Sequence, residues 1–300
     1  VTLATVVAFF GSTWWFFDYL ANFRWHFMWI ALICAIAYAL LARGVIGIVF
    51  AIAVAINLWL IAPLYIGNQP SATGEDSVKV VTVDMHGGVV DDESALRFLF
   101  DSDAELIIVS GVATSRINPI IVDGSPYQII ANPPEDQTGI VVLGQDAYSV
   151  STRTTPTFDE PVLSITVPAG ARTIDIVTSW GFIGSNGDRA AALEERFTLM
   201  TEVVTEADGP VAVVGNLGAT RWTAPMRTLV GDAGLRDAME GRGYLSTWPV
   251  SDFPLIGGWI GIPIDVVLMS PGITPLSLVT GPDIGTPHLP VTTIIGPSGG

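Results

Sequence analysis

Charge is almost absent from the first 67 residues, and this constrains the fold more than any other feature of the sequence. Only three acidic or basic residues other than histidine occur there: Asp18, Arg24 and Arg43. Three apolar runs occupy the region, at residues 1–17, 25–41 and 45–66. Each approaches the roughly 20 residues that an α-helix needs to cross a bilayer core. The sequence therefore predicts a three-helix transmembrane anchor over residues 1–67.

The short connections between these runs predict antiparallel hairpins. A signal peptide would have one short apolar run and a cleavage site, so three successive runs favour a retained anchor over a leader or a buried helical core. Arg43 in the second connection favours a cytoplasmic position for that link, although Arg24 in the first connection opposes it. We expect a multi-pass protein of the cytoplasmic membrane whose residues after Gly67 lie on the extracytoplasmic side.

The rest of the chain has the pattern of a globular domain. A polar linker, 68–77, precedes a region of short strands and helices at 78–296, and 297–300 is a glycine-rich tail. Strands outnumber helices and their order is mixed. This pattern predicts an α/β fold in which two mixed sheets pack face to face with helices outside.

Overall charge and cysteine content exclude several kinds of function. The formal net charge is -16 and Lys79 is the only lysine, so the chain repels phosphate backbones and we expect no nucleic-acid partner. Cys34 is the only cysteine, which excludes an intrachain disulfide and a multi-thiolate metal site.

One segment ends where α/β proteins place their chemistry. Residues 211–214 form a short apolar run that predicts a buried strand, and a turn with glycines at 215 and 218 follows it. Side chains just beyond the carboxyl end of a strand commonly form sites. This turn offers the amide of Asn216 and no carboxylate.

Seven blocks in a fixed order carry a family resemblance. They are residues 81–88, 107–111, 176–180, 215–219, 247–249, 264–268 and 285–291. From about residue 78 to 295 the chain resembles the endonuclease/exonuclease/phosphatase superfamily. The apolar front end resembles its membrane-anchored branch, which includes the vancomycin-teicoplanin resistance proteins. The resemblance implies a four-layer α/β sandwich with the site at one edge of both sheets.

Active members of this superfamily bind a divalent cation, use a His–Asp pair to orient water, and stabilise phosphoryl oxygens with an Asn and a second His. At the matching positions this chain keeps a family Asp as Asp265 and the final His as His288. The other positions are replaced: Asp84 stands where the family has a metal-side Asn, Gly111 where it has the metal-binding Glu, and Ser179 or the adjacent Trp180 where it has a His. Asn216 replaces the water-polarising Asp, Gly218 an Asn, Val266 a His, and Pro287 the Asp of the final Asp–His pair.

These replacements predict a degenerate site. Gly111 supplies no metal ligand, an uncharged Asn216 cannot take a proton from water, and His288 lacks the adjacent carboxylate of the family pair. We therefore expect no catalytic residue, no cofactor and no bound metal, with Asp84 and Asp265 as weak candidates for a structural cation.

The sequence favours a catalytically inactive, phosphatase-like membrane protein. Its partners would be the lipid bilayer and other membrane protein subunits, and its role that of an accessory or assembly subunit of a larger complex such as a respiratory supercomplex. Two alternatives stay open: an active metal-dependent phosphodiesterase or lipid-pyrophosphate phosphatase with a remodelled site, and a module that binds an anionic lipid headgroup or glycan.

Overall fold

A computed structural model describes residues 1–41, 44–67, 76–85, 92–118, 121, 125–134, 137–248 and 260–298. Its helices are α1 (Thr2–Val7), a 3-10 helix (Ala8–Thr13), α2 (Trp15–Ala21), α3 (Arg24–Leu40), α4 (Gly44–Ile61), α5 (Pro63–Ile66), α6 (Asp92–Phe100), α7 (Thr114–Ile117), α8 (Gly187–Thr205) and α9 (Ala224–Asp232).

The strands are β1 (Val78–Asp84), β2 (Leu106–Ala113), β3 (Gln128–Ala131), β4 (Thr138–Gly144), β5 (Ser149–Thr154), β6 (Pro161–Ala169), β7 (Arg172–Ser179), β8 (Val211–Asn216), β9 (Arg236–Asp237), β10 (Asp265–Met269), β11 (Ile273–Thr280) and β12 (Val291–Pro297). They form two six-stranded sheets, in the orders β11-β12-β1-β2-β4-β3 and β5-β6-β7-β8-β10-β9. Both are mixed, because β1–β2 and β7–β8 are parallel and the other pairs antiparallel.

Successive side chains of each strand point alternately to the inner and outer faces of the sheet, which gives the layered packing. On β1, Val78 and Val80 enter the core shared by the two sheets, whereas Val81 and Val83 pack with Leu99 of α6 on the outer face. The second sheet repeats this pattern, with α8 and α9 packed on its outer face. A side-chain period of two is what a strand buried on both faces requires. The predicted pair of packed mixed sheets flanked by helices is confirmed.

The prediction of three transmembrane helices is not confirmed. Among the described residues, Gly44–Ile61 alone is long and apolar enough to cross a bilayer. Trp15–Ala21 and Arg24–Leu40 would add a second span only if counted together, and a bend of 72° separates them. Residues 1–17 do not form one helix, because the 3-10 turn breaks the run and folds back until Gly11 lies against Asp18.

The N-terminal helices pack directly against one end of the second sheet. Asn22 Oδ1 accepts a hydrogen bond from Thr220 N at 2.9 Å, and Trp222 Nε1 donates to Leu60 O at 3.1 Å. Trp25 stacks on Tyr244 with ring centroids 4.5 Å apart. Thr220 and Trp222 come just after the end of β8 in sequence, so the helices lie beside the sheet edge at which β8 ends.

Candidate active site

Four polar side chains meet at one edge of the sandwich because of strand direction and register. Asp84 is the last residue of β1 and Asn216 the last of β8. Asp265 begins β10 and lies opposite Asn216 in the antiparallel ladder. Val291 pairs with Thr82 at the start of β12, so His288, three residues earlier, reaches the same edge. All four side chains are buried.

Asp84 joins the two sheets at this edge. Its Oδ2 accepts hydrogen bonds from Asn216 Nδ2 at 2.5 Å and from Trp180 Nε1 at 2.7 Å. Asn216 in turn accepts through Oδ1 from Gly218 N at 2.8 Å. One amide therefore fixes both the turn after β8 and the carboxylate of the opposite sheet.

His288 has a carboxylate partner, but it comes from β10 and not from the neighbouring position in sequence. Nδ1 lies 2.7 Å from Asp265 Oδ2, and Nε2 lies 3.8 Å from Asp84 Oδ2, beyond hydrogen-bond distance. Burial alone lowers the pKa of His288, but the charge and hydrogen bond of Asp265, with the charge of Asp84, together raise it above its usual value. The prediction that His288 had lost its carboxylate is wrong.

A second layer of contacts holds this pair in place. Thr247 Oγ1 lies 3.3 Å from both Ile264 N and Asp265 N, and so receives the backbone donors at the start of β10. The ring of Trp248 lies 6.0 Å from that of His288. Thr286 Oγ1 donates to the His288 carbonyl oxygen. Thr247 thus fixes the backbone of Asp265, and Thr286 fixes the backbone of His288.

Two of the altered positions need glycine for reasons of backbone geometry. Gly111 has a φ of 69° and lies at the irregularity in the β2–β4 ladder, between Ser110 and Val112. Gly218 has a φ of 67°, and a Cβ there would lie 2.5 Å from the Phe182 carbonyl oxygen. Side chains other than glycine are disfavoured at such φ values. The local backbone therefore accounts for the absence of polar side chains at both positions.

Of the other sequence candidates, Ser179 and Pro287 do not bond to the four clustered side chains, whereas Trp180 does. Ser179 is buried and donates to the Pro161 carbonyl at 2.7 Å, which ties β7 to β6, and Trp180 beside it contacts Asp84 instead. Pro287 is half-buried in the loop before His288. His86, in the first turn, lies outside the described residues.

The described residues do not fit a divalent cation of the kind the superfamily uses. Asp84 Oδ2 already accepts from two N–H donors, Asp265 Oδ2 is engaged by the imidazole, and Gly111 has no side chain. No group of three or more His, Cys, Asp or Glu side chains placed to hold a metal occurs in the part of the chain described here. The other carboxylate oxygen of Asp265, Oδ1, is buried and has no hydrogen-bond partner among these residues.

Comparisons with solved structures identify the architecture. No family model and no curated protein matches the sequence. A humanised D. rerio TDP2 superposes with a TM-score of 0.58 at 12% identity, over 74% of this chain and 100% of its own. An endonuclease/exonuclease/phosphatase from Bacteroides vulgatus gives 0.57 at 13% identity, over 74% and 99%. The human nocturnin catalytic domain gives 0.50 at 10%, over 75% and 96%.

The chain has the endonuclease/exonuclease/phosphatase fold. The same comparisons correct the expectation of a non-enzyme. The neighbours include a catalytic domain, that of nocturnin, and a D. rerio TDP2 complexed with a single-strand DNA product. Within this chain His288 has a carboxylate partner, Asp265, and the absence of such a partner was one of the three reasons for that expectation.

Sequence reasoning overlooked this pair because it compared residues position by position. A carboxylate beside His288 was sought at 287, whereas the partner lies 23 residues earlier, on another strand. The signal was present: Asp265 opens the strand that pairs with β8, and an antiparallel ladder places its first residue opposite Asn216. Trp180 was noted, but its indole donor could not be aimed at Asp84 without the fold.

Proposed function

We propose that this chain is a membrane-associated hydrolase of phosphate esters in which His288 and Asp265 form the proton-transfer pair. The observation that carries the proposal is the 2.7 Å contact between Nδ1 and Oδ2 at the edge where the strands of both sheets end. A histidine oriented by a carboxylate and facing a second carboxylate is a common arrangement for general acid–base catalysis. The fold, which contains nucleases and phosphatases, supports this reaction class.

The chemistry follows from which nitrogen carries the mobile proton. Asp265 holds the Nδ1 proton, so the proton on Nε2 is the one available for transfer. The raised pKa of His288 widens the pH range in which the imidazolium form, which serves as the acid, is present. It protonates the departing ester oxygen while water forms the new bond to phosphorus, and the proton that this water releases returns His288 to the imidazolium form. The products are an alcohol and a phosphate with one ester bond fewer.

The charge of the cluster restricts the substrate. Asp84 and Asp265 face one imidazolium, so the hydrogen-bonded group carries a net charge of about -1 when His288 is protonated. Like charges at close range repel strongly in a buried site. This arrangement supports a substrate with a single negative charge near the reacting atoms, such as a phosphodiester, over a polyanion. The net charge of -16 favours the same conclusion.

The helices support a location at a membrane. Within the apolar window of α4 only 22% is buried, which is low for the core helix of a soluble protein. Apolar side chains of α3 and α4 face outward, among them Ile33 and Leu40 on α3 and Val45 and Ile48 on α4. We propose that α3 and α4 cross the cytoplasmic membrane as a hairpin and that the sandwich lies on its extracytoplasmic side.

Turnover by the purified full chain tests the proposal. We expect hydrolysis of bis(4-nitrophenyl) phosphate by the unaltered protein and a loss of roughly 10²–10⁴-fold in His288→Gln and Asp265→Asn, the range that general acid–base groups contribute.

A matched control separates chemistry from folding. Asp175→Asn alters a carboxylate of the same sheet that accepts from Thr166 Oγ1 at 2.7 Å, outside the cluster, and should retain activity. The proposal fails if no phosphate mono- or diester is hydrolysed with or without added Mg²⁺. It fails equally if His288→Gln and Asp175→Asn have the same rate.

A further inference from the structure

A cleft of about 640 Å³ opens where the edge strands of the two sheets, β3 and β5, leave the sandwich unclosed. We call it the β3–β5 cleft. Its apolar walls include Ile130 and Ile140 from the first sheet and Val150 and Leu163 from the second. These side chains belong to, or pack against, the core between the sheets. The cleft therefore continues the apolar interior out to the surface.

The polar groups of the cleft are almost all neutral. Thr138, Thr152 and Asn132 contribute hydroxyl and amide groups to its rim, and the described lining residues include no lysine or arginine. Of its two carboxylates, Glu160 is bound to the buried Arg196 at 2.7 Å and Asp159 is exposed. A cleft of this composition suits an apolar chain and disfavours a phosphate-rich one.

Trp180 connects the cleft to the proton-transfer pair. Its ring forms part of the cleft wall beside Phe182, with centroids 5.4 Å apart, while its Nε1 donates to Asp84 Oδ2. Asp84 Oδ2 is in turn 3.8 Å from His288 Nε2. A chain of contacts therefore runs from the cleft wall through the Trp180 indole and the Asp84 carboxylate to His288.

The segment that bears Trp180 also approaches the N-terminal helices. After Phe182 it reaches Gly184 and Gly187, and both glycines line a groove of about 390 Å³ that Trp14 and Trp15 enclose from the other side. A Cβ on Gly187 would lie 4.0 Å from Trp15 Nε1. The cleft thus lies at one end of a segment whose other end borders the N-terminal helices.

We propose that the β3–β5 cleft binds the hydrocarbon chain of an amphiphilic phosphoester and places its phosphorus at His288. This inference rests on the hydrolase function proposed above and names its substrate class: a phosphodiester that bears one alkyl or acyl-type chain and one negative charge. Threonine and asparagine at the rim face the polar part of the ligand, and the aliphatic walls take the chain.

The first test is the dependence of KM on chain length. The full chain, in amphipol, is assayed with 4-nitrophenyl n-alkyl phosphates from methyl to decyl. Burial of a methylene favours binding by up to about four-fold, so KM should fall by that factor for each added carbon until the cleft is filled. Thr152→Trp, which fills the cleft from β5, should flatten this dependence. Ser151→Trp alters the adjacent exposed residue, which lies outside the cleft and lines a different groove, and should preserve it.

The second test does not require turnover. A decylphosphonate with a terminal diazirine has no ester bond to hydrolyse and is cross-linked to the full chain. Labelling should fall on residues 130–140 and 150–163 and should be lost in Thr152→Trp but kept in Ser151→Trp. Labelling confined to the N-terminal helices, or equal in the two variants, overturns the cleft assignment. If the cleft is labelled but the protein hydrolyses none of the esters, only the proposed function is overturned.

Discussion

Asp84 is the residue on which the candidate site depends most. It belongs to the first sheet, yet its Oδ2 is bound by Asn216 and Trp180 of the second sheet and faces His288 from the loop before β12. Hydrogen bonds to a charged acceptor are about twice as strong as those between neutral groups. This one carboxylate therefore fixes the separation of the two sheets at the edge where the chemistry is placed.

The raised pKa of His288 predicts a pH-dependent stability. A histidine whose pKa is higher in the folded chain stabilises the fold fully below its unfolded value, near 6.5, and this contribution is lost as pH rises through the folded pKa. We expect the melting temperature of the full chain to decrease on going from pH 6 toward pH 9, and His288→Gln to remove that part of the decrease. A thermal-unfolding series in matched buffers measures both slopes, and parallel slopes would show that His288 is not charged in the fold.

Helix α8 stabilises the turn that follows Asn216 at the end of β8. Arg196 of this helix is fully buried, and it reaches Glu160 through Nη1 at 2.7 Å and the Leu217 carbonyl through Nη2 at 2.8 Å. It thereby ties the start of β6 to the turn after β8. Gly181 lies directly against the guanidinium and leaves the space it needs.

Gly181→Ala should destabilise the chain because the new methyl group would lie 1.7 Å from Arg196 Nη1. The guanidinium can move away only by giving up its two buried hydrogen bonds. We expect a loss of about 1–3 kcal/mol in the free energy of unfolding, as for overpacked sites. Urea unfolding of the full chain in detergent measures it.

Gly231→Ala is the matched control for this change. Gly231 lies in α9, and a Cβ there would have no heavy atom within 4 Å. Alanine at a compatible helical position stabilises by about 0.4–1 kcal/mol, so the two substitutions should have opposite signs. Equal effects would mean that the packing around Arg196 does not constrain Gly181.

At the scale of the whole molecule, the N-terminal helices are part of the folded unit. Ala21, Ile61 and Leu64 are buried and join the core between the sheets. The exposed apolar surface lies on the outer sides of α3 and α4, where Leu40 is 82% and Trp59 81% exposed. Contiguous apolar surface of this kind marks a site of contact with a membrane or a partner.

Membrane insertion should therefore depend on α4. An arginine at the centre of a membrane helix costs roughly 2.5–3.5 kcal/mol on insertion scales, so Ile52→Arg should shift the chain from the alkali-washed membrane pellet to the supernatant. Ser151→Arg, an equal change of charge on an exposed strand of the sandwich, should leave the distribution unaltered. Retention of both variants in the pellet would contradict a role of α4 as a membrane span.

The fold could be predicted from the sequence further than the site could. A short apolar run such as 211–214, with a glycine on either side of it, favours a strand buried on both faces. The short strands and helices predicted over residues 78–296 form in the described part of that region. Residues 1–17 are as apolar as a membrane span, but the contact of Gly11 with Asp18 breaks the run, and such a tertiary contact leaves no periodic signal. The pairing of Asp265, the first residue of β10, with His288, in the loop before β12, appears only when the ladder registers are known.

The pH dependence of kcat/KM for phosphodiester hydrolysis, compared between the unaltered chain and Asp265→Asn, tests the central claim most directly. With His288 as the acid, activity should decline as pH rises, with a midpoint above the ordinary histidine value of 6.5. Loss of the Asp265 charge lowers the pKa of His288, so in Asp265→Asn the remaining activity should decline at a lower pH. An identical profile in the two proteins, or no hydrolysis at any pH, would contradict the assignment of His288 and Asp265 as the proton-transfer pair.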